Sequence, residues 1–164
     1  MPATPATRLL QQSDVAFTTH EYDHDADAVA AGLNYGAEAA DLLGVAPERV
    51  FKTLVVEADQ QPGVVIVPVL DRVQLKAAAA ALGAKKAVLM DPARAEKLTG
   101  YVVGGISPLG QKRLLPTVVH ETAMAQDTIY VSGGRRGFDI ELSPGELVRV
   151  LSAQVAAVTL EAAA

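Results

Sequence analysis

A lysine stands inside an otherwise apolar run, Val50-Phe51-Lys52-Thr53-Leu54-Val55-Val56. Burying an unpaired charge is expensive, so such a lysine must reach an edge, pair with an acid or line a cleft. In a cleft it can hold a phosphate or a developing oxyanion. A second candidate is the loop Gly104-Gly105-Ile106-Ser107-Pro108-Leu109-Gly110. Paired glycines let backbone N–H groups approach a ligand closely, and Pro108 stiffens the turn by fixing its own φ and restricting Ser107. Taken alone this is a Gly-rich turn, with neither a dinucleotide fingerprint nor a Walker lysine. The third segment is Tyr130-Val131-Ser132-Gly133-Gly134-Arg135-Arg136-Gly137-Phe138-Asp139. Alternation puts Tyr130 and Ser132 on one strand face, with Asp139 across the expected turn, in reach of Ser132 or of a ligand amine.

Two other chemistries compete for the same residues. His20-Glu21-Tyr22-Asp23-His24 matches the H-E-x-x-H zinc pattern, which needs both imidazoles on one helical face. Here the segment follows a β-branched run and is made of mediocre helix formers. In a strand, residues four apart sit about 13 Å apart, too far for one zinc with bonds of about 2 Å. A Ser-His-Asp triad based on His20, His24 or His120 lacks a G-x-S-x-G elbow around any serine. The absence of cysteine removes a disulfide framework, a thiolate metal site and a Cys nucleophile together. No metal and no cofactor is expected.

The elements that must position these groups follow from pattern. Thr7 to Asp14 reads as an amphipathic helix and Val15 to Tyr22 as a strand. Asp25 to Leu43 is Ala-rich and helical, broken near Leu33-Asn34-Tyr35 and stopped by Gly44. Val50–Ala58 and Val64–Leu70 are strands of a hairpin, with Asp59-Gln60-Gln61-Pro62-Gly63 as the turn. On the first of them Lys52 shares a face with Leu54 and Val56. Asp71 caps a helix reaching Leu82; Ala87–Met90 is a short buried strand; Asp91-Pro92 opens a helix that Gly100 closes. Tyr101-Val102-Val103 is a strand entering the Gly-rich loop. Thr117–Val119, Thr128–Ser132 and Phe138–Leu142 are further strands, the last two joined by a turn at Gly133-Gly134. Ser143-Pro144-Gly145-Glu146 is a capping box that opens a helix to Leu151. Strands and helices mix without strict βαβ alternation. The expected class is therefore mixed α/β (α+β), with a strongly twisted, partly barrel-like mixed sheet flanked by helices.

Bulk properties bound the rest. The 164 residues, half of them hydrophobic and 20% charged, suit one domain over residues 1–164 with an aliphatic core. No stretch approaches a membrane span or a signal peptide, so a cytoplasmic location is expected. A net charge of -5 argues against indiscriminate nucleic-acid binding but leaves room for a local basic patch. Lys85-Lys86, Lys112-Arg113 and Arg135-Arg136 are the basic pairs.

Taken in order, F-K-T-L-V-V, L-G-A-K-K, T-G-Y-V-V-G-G-I-S-P-L-G-Q-K-R-L-L-P-T and I-Y-V-S-G-G-R-R-G-F-D-I-E-L resemble the YbaK/EbsC family. Its members hydrolyse Cys-tRNA(Pro) and resemble the editing domain inserted in bacterial prolyl-tRNA synthetases. The resemblance implies a trans-editing deacylase that clears mischarged tRNA(Pro), foremost Cys-tRNA(Pro), with the acceptor end of an aminoacyl-tRNA and a prolyl-tRNA synthetase as partners. It makes Lys52 the essential lysine and gives Gly104 and Gly105 the role of backbone donors around the scissile ester. Tyr22, Tyr35, Ser132 and Asp139 would line the pocket for the aminoacyl group and the terminal adenosine. Tyr35 departs from the Phe expected there. In the family the substrate's own thiol is thought to attack its ester, giving a cyclic thioester and free tRNA; no protein nucleophile is then needed. Ala-tRNA(Pro) hydrolysed by water, and a non-catalytic module binding tRNA or a synthetase, remain alternatives.

Overall fold

The computed structural model describes residues 3–23 and 35–160, with side chains in the second span from residue 38. Strands β1 (Phe17–Glu21), β2 (Phe51–Ala58), β3 (Gln61–Pro68), β4 (Ala87–Leu89), β5 (Thr117–His120), β6 (Ile129–Arg135), β7 (Phe138–Leu142) and β8 (Gln154–Ala156) form two sheets. The larger is five-stranded, in the order β4-β2-β3-β5-β8, and mixed: β2 runs antiparallel to β3 and β4, while β5 runs parallel to β3 and β8. The smaller is three-stranded and antiparallel, in the order β1-β7-β6. A parallel bridge between Val50 and Tyr130 joins the two sheets at the start of β2. The mixed α/β class is as expected; its strands are divided between two sheets, with no closed barrel among the described residues.

Helices α1 (Pro5–Gln12), α2 (Tyr35–Leu43), α3 (Leu75–Ala81), α4 (Pro92–Thr99) and α5 (Pro144–Leu151) cover these sheets. Alternation sorts the side chains. Phe51, Val64, Ile66 and Val119 face Ile129, Val131, Ile140 and Leu142 of the small sheet, with Leu10 of α1 and Leu147 of α5 closing the main core. The opposite face, Val56, Val65, Val67 and Val118, packs on Ala78 of α3. Each fully buried Val, Leu or Ile is worth about 1.5–3 kcal/mol. Both faces of the β2–β3–β5 unit are therefore fixed by the apolar pattern, as befits interior strands.

Several local expectations shift. The hairpin turns on Asp59 and Gln60 alone, both at positive φ (49° and 69°), and Gln61-Pro62-Gly63 belong to β3. Pro62 is tolerated because Val64 N–H, two residues on, points toward β5, where it donates to the Pro116 carbonyl; β5 pairing starts only at Val64, so the nitrogen of Pro62 meets no strand. Strand β4 is not buried: it is an edge strand with Val88 and Leu89 exposed. Tyr101–Val103 is a turn, not a strand. Gly133 and Gly134 lie within β6 as a bulge, and the chain reverses at Arg136-Gly137. Gln74, not Asp71, caps α3. Ser143 precedes α5 as expected, but its side chain makes no capping bond; the capping box present is Thr4 with Thr7, at α1. Much of the Ala-rich stretch before α2, at residues 24–34, lies outside the described residues.

Candidate active site

Strand β2 pairs with β3 along its whole length, but with β4 only at Val56, Glu57 and Ala58. The Val55 carbonyl still accepts from Met90 N–H on the β4 side, and Val50 bridges to Tyr130. Between those two points the edge of β2 has no strand beside it among the described residues. A cavity of about 350 Å³ runs along that gap, within the usual range for small-molecule sites. Because it follows an edge, side chains from both faces of β2 line it, Lys52 from one and Thr53 from the other. The Val55 carbonyl points at this edge, so alternation aims the backbone N–H and C=O of Thr53 the same way. The Thr53 hydroxyl is buried without a hydrogen-bond partner among the described residues, and nothing in the sequence marks it. Finding it needs knowledge of which edge stays unpaired.

The opposite wall is the outer face of the small sheet. Ser132 and Asp139 are register partners on β6 and β7, and His20 faces Asp139 from β1. Tyr22, just past β1, has its backbone N–H on the Gly137 carbonyl (3.0 Å) and its hydroxyl 3.5 Å from Asp139 Oδ1. Tyr22, Ser132 and Asp139 all line the cavity. Asp139 is 5% exposed, and burial pushes its carboxyl up to about 7, against a smaller opposing effect of the Tyr22 hydroxyl. Burial, then the carboxylates of Asp139 and Glu38, push the Tyr22 phenol up. Glu38, buried on α2, is a second acid at this end that the sequence did not single out. On the other wall, burial pushes the Lys52 ammonium down, while Asp71 opposes the shift. The cavity is thus bipolar: Lys52 on one wall and the buried Asp139 on the other, with apolar Ala39, Met90, Ala95 and Ile106 between.

The third wall is the loop after α4. Val103, Gly104 and Ile106 line the cavity. Gly105 lies behind them: its N–H donates to the Val102 carbonyl (2.8 Å), inside the loop itself. Its lack of a side chain answers a close approach, since a Cβ there would stand 2.7 Å from Arg135 Cα and 2.8 Å from Arg136 N. Arg136 Nε fastens the same contact by donating to the Val103 carbonyl (2.8 Å). Gly134, at φ +112°, likewise leaves room for the Tyr101 ring, whose hydroxyl donates to the Leu109 carbonyl (2.7 Å). The loop is seated on the β6–β7 hairpin by contacts some thirty positions away in sequence.

A polar cluster ties the walls together. Glu141, two residues after Asp139, accepts from the Thr128 hydroxyl (2.5 Å) and from Arg49 (3.4 Å), and its other oxygen lies 2.9 Å from His20 Nε2. Hydrogen bonding, first by Thr128, holds its carboxyl below the usual range. Arg49, three residues before Lys52, also lies over the Tyr130 ring at 5.1 Å. One clamp therefore sets the start of β2 against β7. His20 and Glu21 stand on β1 in extended conformation, His24 lies outside the described residues, and no His lines the cavity among the described residues.

The structure thus brings Lys52, Gly104, Tyr22, Ser132 and Asp139 to one cavity and places Gly105 behind its loop wall. Tyr35 begins α2, and its side chain lies outside what is described. Residues 33–150 match the family model described as "Aminoacyl-tRNA editing domain". A relative from Enterococcus faecalis, named "Putative Cys-tRNA(Pro)/Cys-tRNA(Cys) deacylase EbsC", is 34% identical over 157 residues, covering 95% of this chain and 93% of its own. The crystal structure of hypothetical protein APE2540 superposes with a TM-score of 0.83 at 26% identity, covering 96% of this chain and all of that one. A structure titled "Crystal structure of a putative trans-editing enzyme for prolyl tRNA synthetase" shares the fold at TM-score 0.78 and 22% identity, covering 98% of this chain and all of that one.

Proposed function

The chain belongs to the aminoacyl-tRNA editing domain family and is by that membership an aminoacyl-tRNA deacylase; we propose that it clears tRNA(Pro) mischarged with cysteine, acting in trans as one editing domain over residues 1–164. The observation that carries this reading is the bipolar cavity, with Lys52 on one wall, Asp139 on the other, and no histidine base between them among the described residues. An aminoacyl ester has the complementary polarity. Its α-ammonium suits the acidic end, where Asp139 is poised to hold charge or to donate a hydrogen bond near neutral pH. Its carbonyl oxygen, which gains negative charge in the transition state, suits Lys52 and the backbone N–H groups of Gly104 and Thr53.

The substrate supplies the nucleophile. Its thiol sulfur bonds to the carbonyl carbon, the bond from that carbon to the ribose oxygen breaks, and the thiol proton ends on the ribose oxygen. The products are a cyclic thioester and free tRNA. Holding the thiol beside the ester makes the step intramolecular, for which effective molarities of about 10⁵–10⁸ M are known. The apolar residues of the cavity exclude water, and the role of the chain is placement and charge. Prolyl-tRNA synthetase is the natural partner to hand over such a substrate.

Single-turnover deacylation of tRNA(Pro) charged with Cys or with Ala tests the reading. Cys-tRNA(Pro) should be cleared at least tenfold faster. Faster clearance of Ala-tRNA(Pro) would move the specificity to alanine and the attack to water, and no clearance of either would leave a binding module.

A further inference from the structure

The chain is acidic overall, yet no Asp or Glu occurs between Glu96 and Glu121. That acid-free stretch builds the loop wall of the cavity and its flank. Lys97 lies in the last turn of α4. The Lys112 stem packs on Gly100, 3.3 Å from where a Cβ would stand, and Lys112 Nζ donates to the Lys97 carbonyl (3.0 Å). Arg113 follows, exposed, and Arg8 of α1 acts electrostatically on neighbouring Tyr101. At the other end of the same wall, Arg136 reaches the Val103 carbonyl and Gly105 rests on the Arg135–Arg136 backbone. Gly105 follows Gly100 by five positions, a span of at most about 18 Å.

The Glu96 carboxylate enters this wall, accepting from Val103 N–H (2.7 Å), yet four cations along the flank pair with no carboxylate among the described residues. Arg49, Arg94, Arg135 and Arg149 each pair with a carboxylate. Arg8, Lys97, Lys112 and Arg113 have no carboxylate within ion-pair distance among the described residues. Lys85-Lys86 pairs with no carboxylate either among the described residues, but it lies beside Asp59, whose carboxyl accepts from both of their backbone N–H groups and is held below its usual range by them and, more weakly, by the Lys85 charge. A polyanion approaching a chain of net charge -5 is repelled except where uncompensated cations gather.

We propose that this wall is the seat of the RNA. The phosphates of the acceptor strand lie along Lys97, Lys112 and Arg113, pass Gly100 and run toward Arg136, which delivers the terminal nucleotide to the mouth beside Gly104. The assignment rests on the aminoacyl-tRNA reading and goes beyond it by placing the body of the substrate.

The test is binding of uncharged tRNA, by fluorescence anisotropy between 50 and 200 mM salt, to the wild type, to Lys112→Ala/Arg113→Ala and to Lys97→Ala. Each lost phosphate contact should lower the slope of log affinity against log salt by about 0.7–0.9. The double variant should therefore lose roughly 1.5 in slope and at least tenfold in affinity at 50 mM. Lys97→Ala, whose ammonium bonds to nothing among the described residues, should lose about half as much slope; it keeps the test intact if the Lys112 stem is needed at Gly100. Lys85→Ala/Lys86→Ala should bind as the wild type does. Turnover of tRNA relative to a 3′-aminoacyl-adenosine ester, which has no phosphate backbone, should fall at least tenfold in the double variant. Wild-type affinity and slope in the double variant, or an equal loss in the Lys85/Lys86 variant, would overturn the proposal. If the wild type cleaves neither ester, the deacylase reading fails while the binding arm still decides the seat of the RNA.

Discussion

The two long walls of the cavity are built on different principles. The β2 wall is regular: its residues are placed by alternation, by pairing with β3 and by a core on each face. The loop wall has no regular structure between Gly100 and Gly110 and is held by distant contacts, Gly105 on Arg135, Arg136 on Val103 and Tyr101 at Gly134. A lysine in a strand between fixed neighbours can be removed without moving the strand. A glycine at a close approach cannot change without moving the loop. The first wall should separate chemistry from stability, and the second should couple them.

Lys52→Ala should show the separation at its largest. Loss of one charge-stabilising group typically lowers kcat about 10²–10³-fold. Because burial already disfavours the ammonium, the melting temperature should hold or rise; thermal melts beside single-turnover rates check both. Gly105→Ala should show the coupling. A Cβ 2.7 Å from Arg135 Cα must push loop and hairpin apart. Overpacking of this kind costs about 1–3 kcal/mol, and the displaced Gly104 should lower kcat by about 10²-fold. A Gly105→Ala protein with unchanged melting and full activity would erase the distinction between the walls.

Glu141→Ala should act on the clamp that sets the start of β2 against β7. It leaves Arg49, Thr128 and His20 without their shared acceptor, a loss of about 1–3 kcal/mol, with a several-fold fall in kcat that Glu141→Gln partly restores. The smallest effect should be one of pH. The native carboxyl of Asp139 titrates near 7, well above its unfolded value, so the folded form binds the extra proton between about pH 4 and 7. Stability from this group falls as pH rises through that window and levels off above it. Asp139→Asn should therefore raise the melting temperature more at pH 8 than at pH 5, as melting curves across pH would show.

The same difference explains what could be read in advance. The β2–β3 hairpin, the helix Pro92–Thr99 closed by Gly100 and the helix after Ser143 follow from apolar runs and local punctuation, which act over a few residues. Lys52 stood out because a charge interrupts such a run. The turn at Asp59-Gln60 was obscured because Pro62 and Gly63 resemble loop residues until the position of β5 is known. Gly133-Gly134 looked like a turn, whereas the bulge makes room for side chains from elsewhere in the chain, among them Phe138 and Tyr101. Thr53, Glu38 and the Arg49–Glu141 clamp acquire meaning only when the two sheets meet. The paired glycines imply close approach to a ligand, whereas at Gly105 the approaching group is the Arg135–Arg136 backbone.

The placement of one ester between these walls is tested most directly by a crystal structure with a non-hydrolysable analogue, 3′-cysteinylamino-3′-deoxyadenosine. The bipolar cavity predicts the cysteinyl carbonyl oxygen within hydrogen-bond distance of Lys52 Nζ, its ammonium at Asp139 and its adenosine leaving past Gly104. An analogue seated outside the cavity, or one bound with Lys52 turned away, would contradict it.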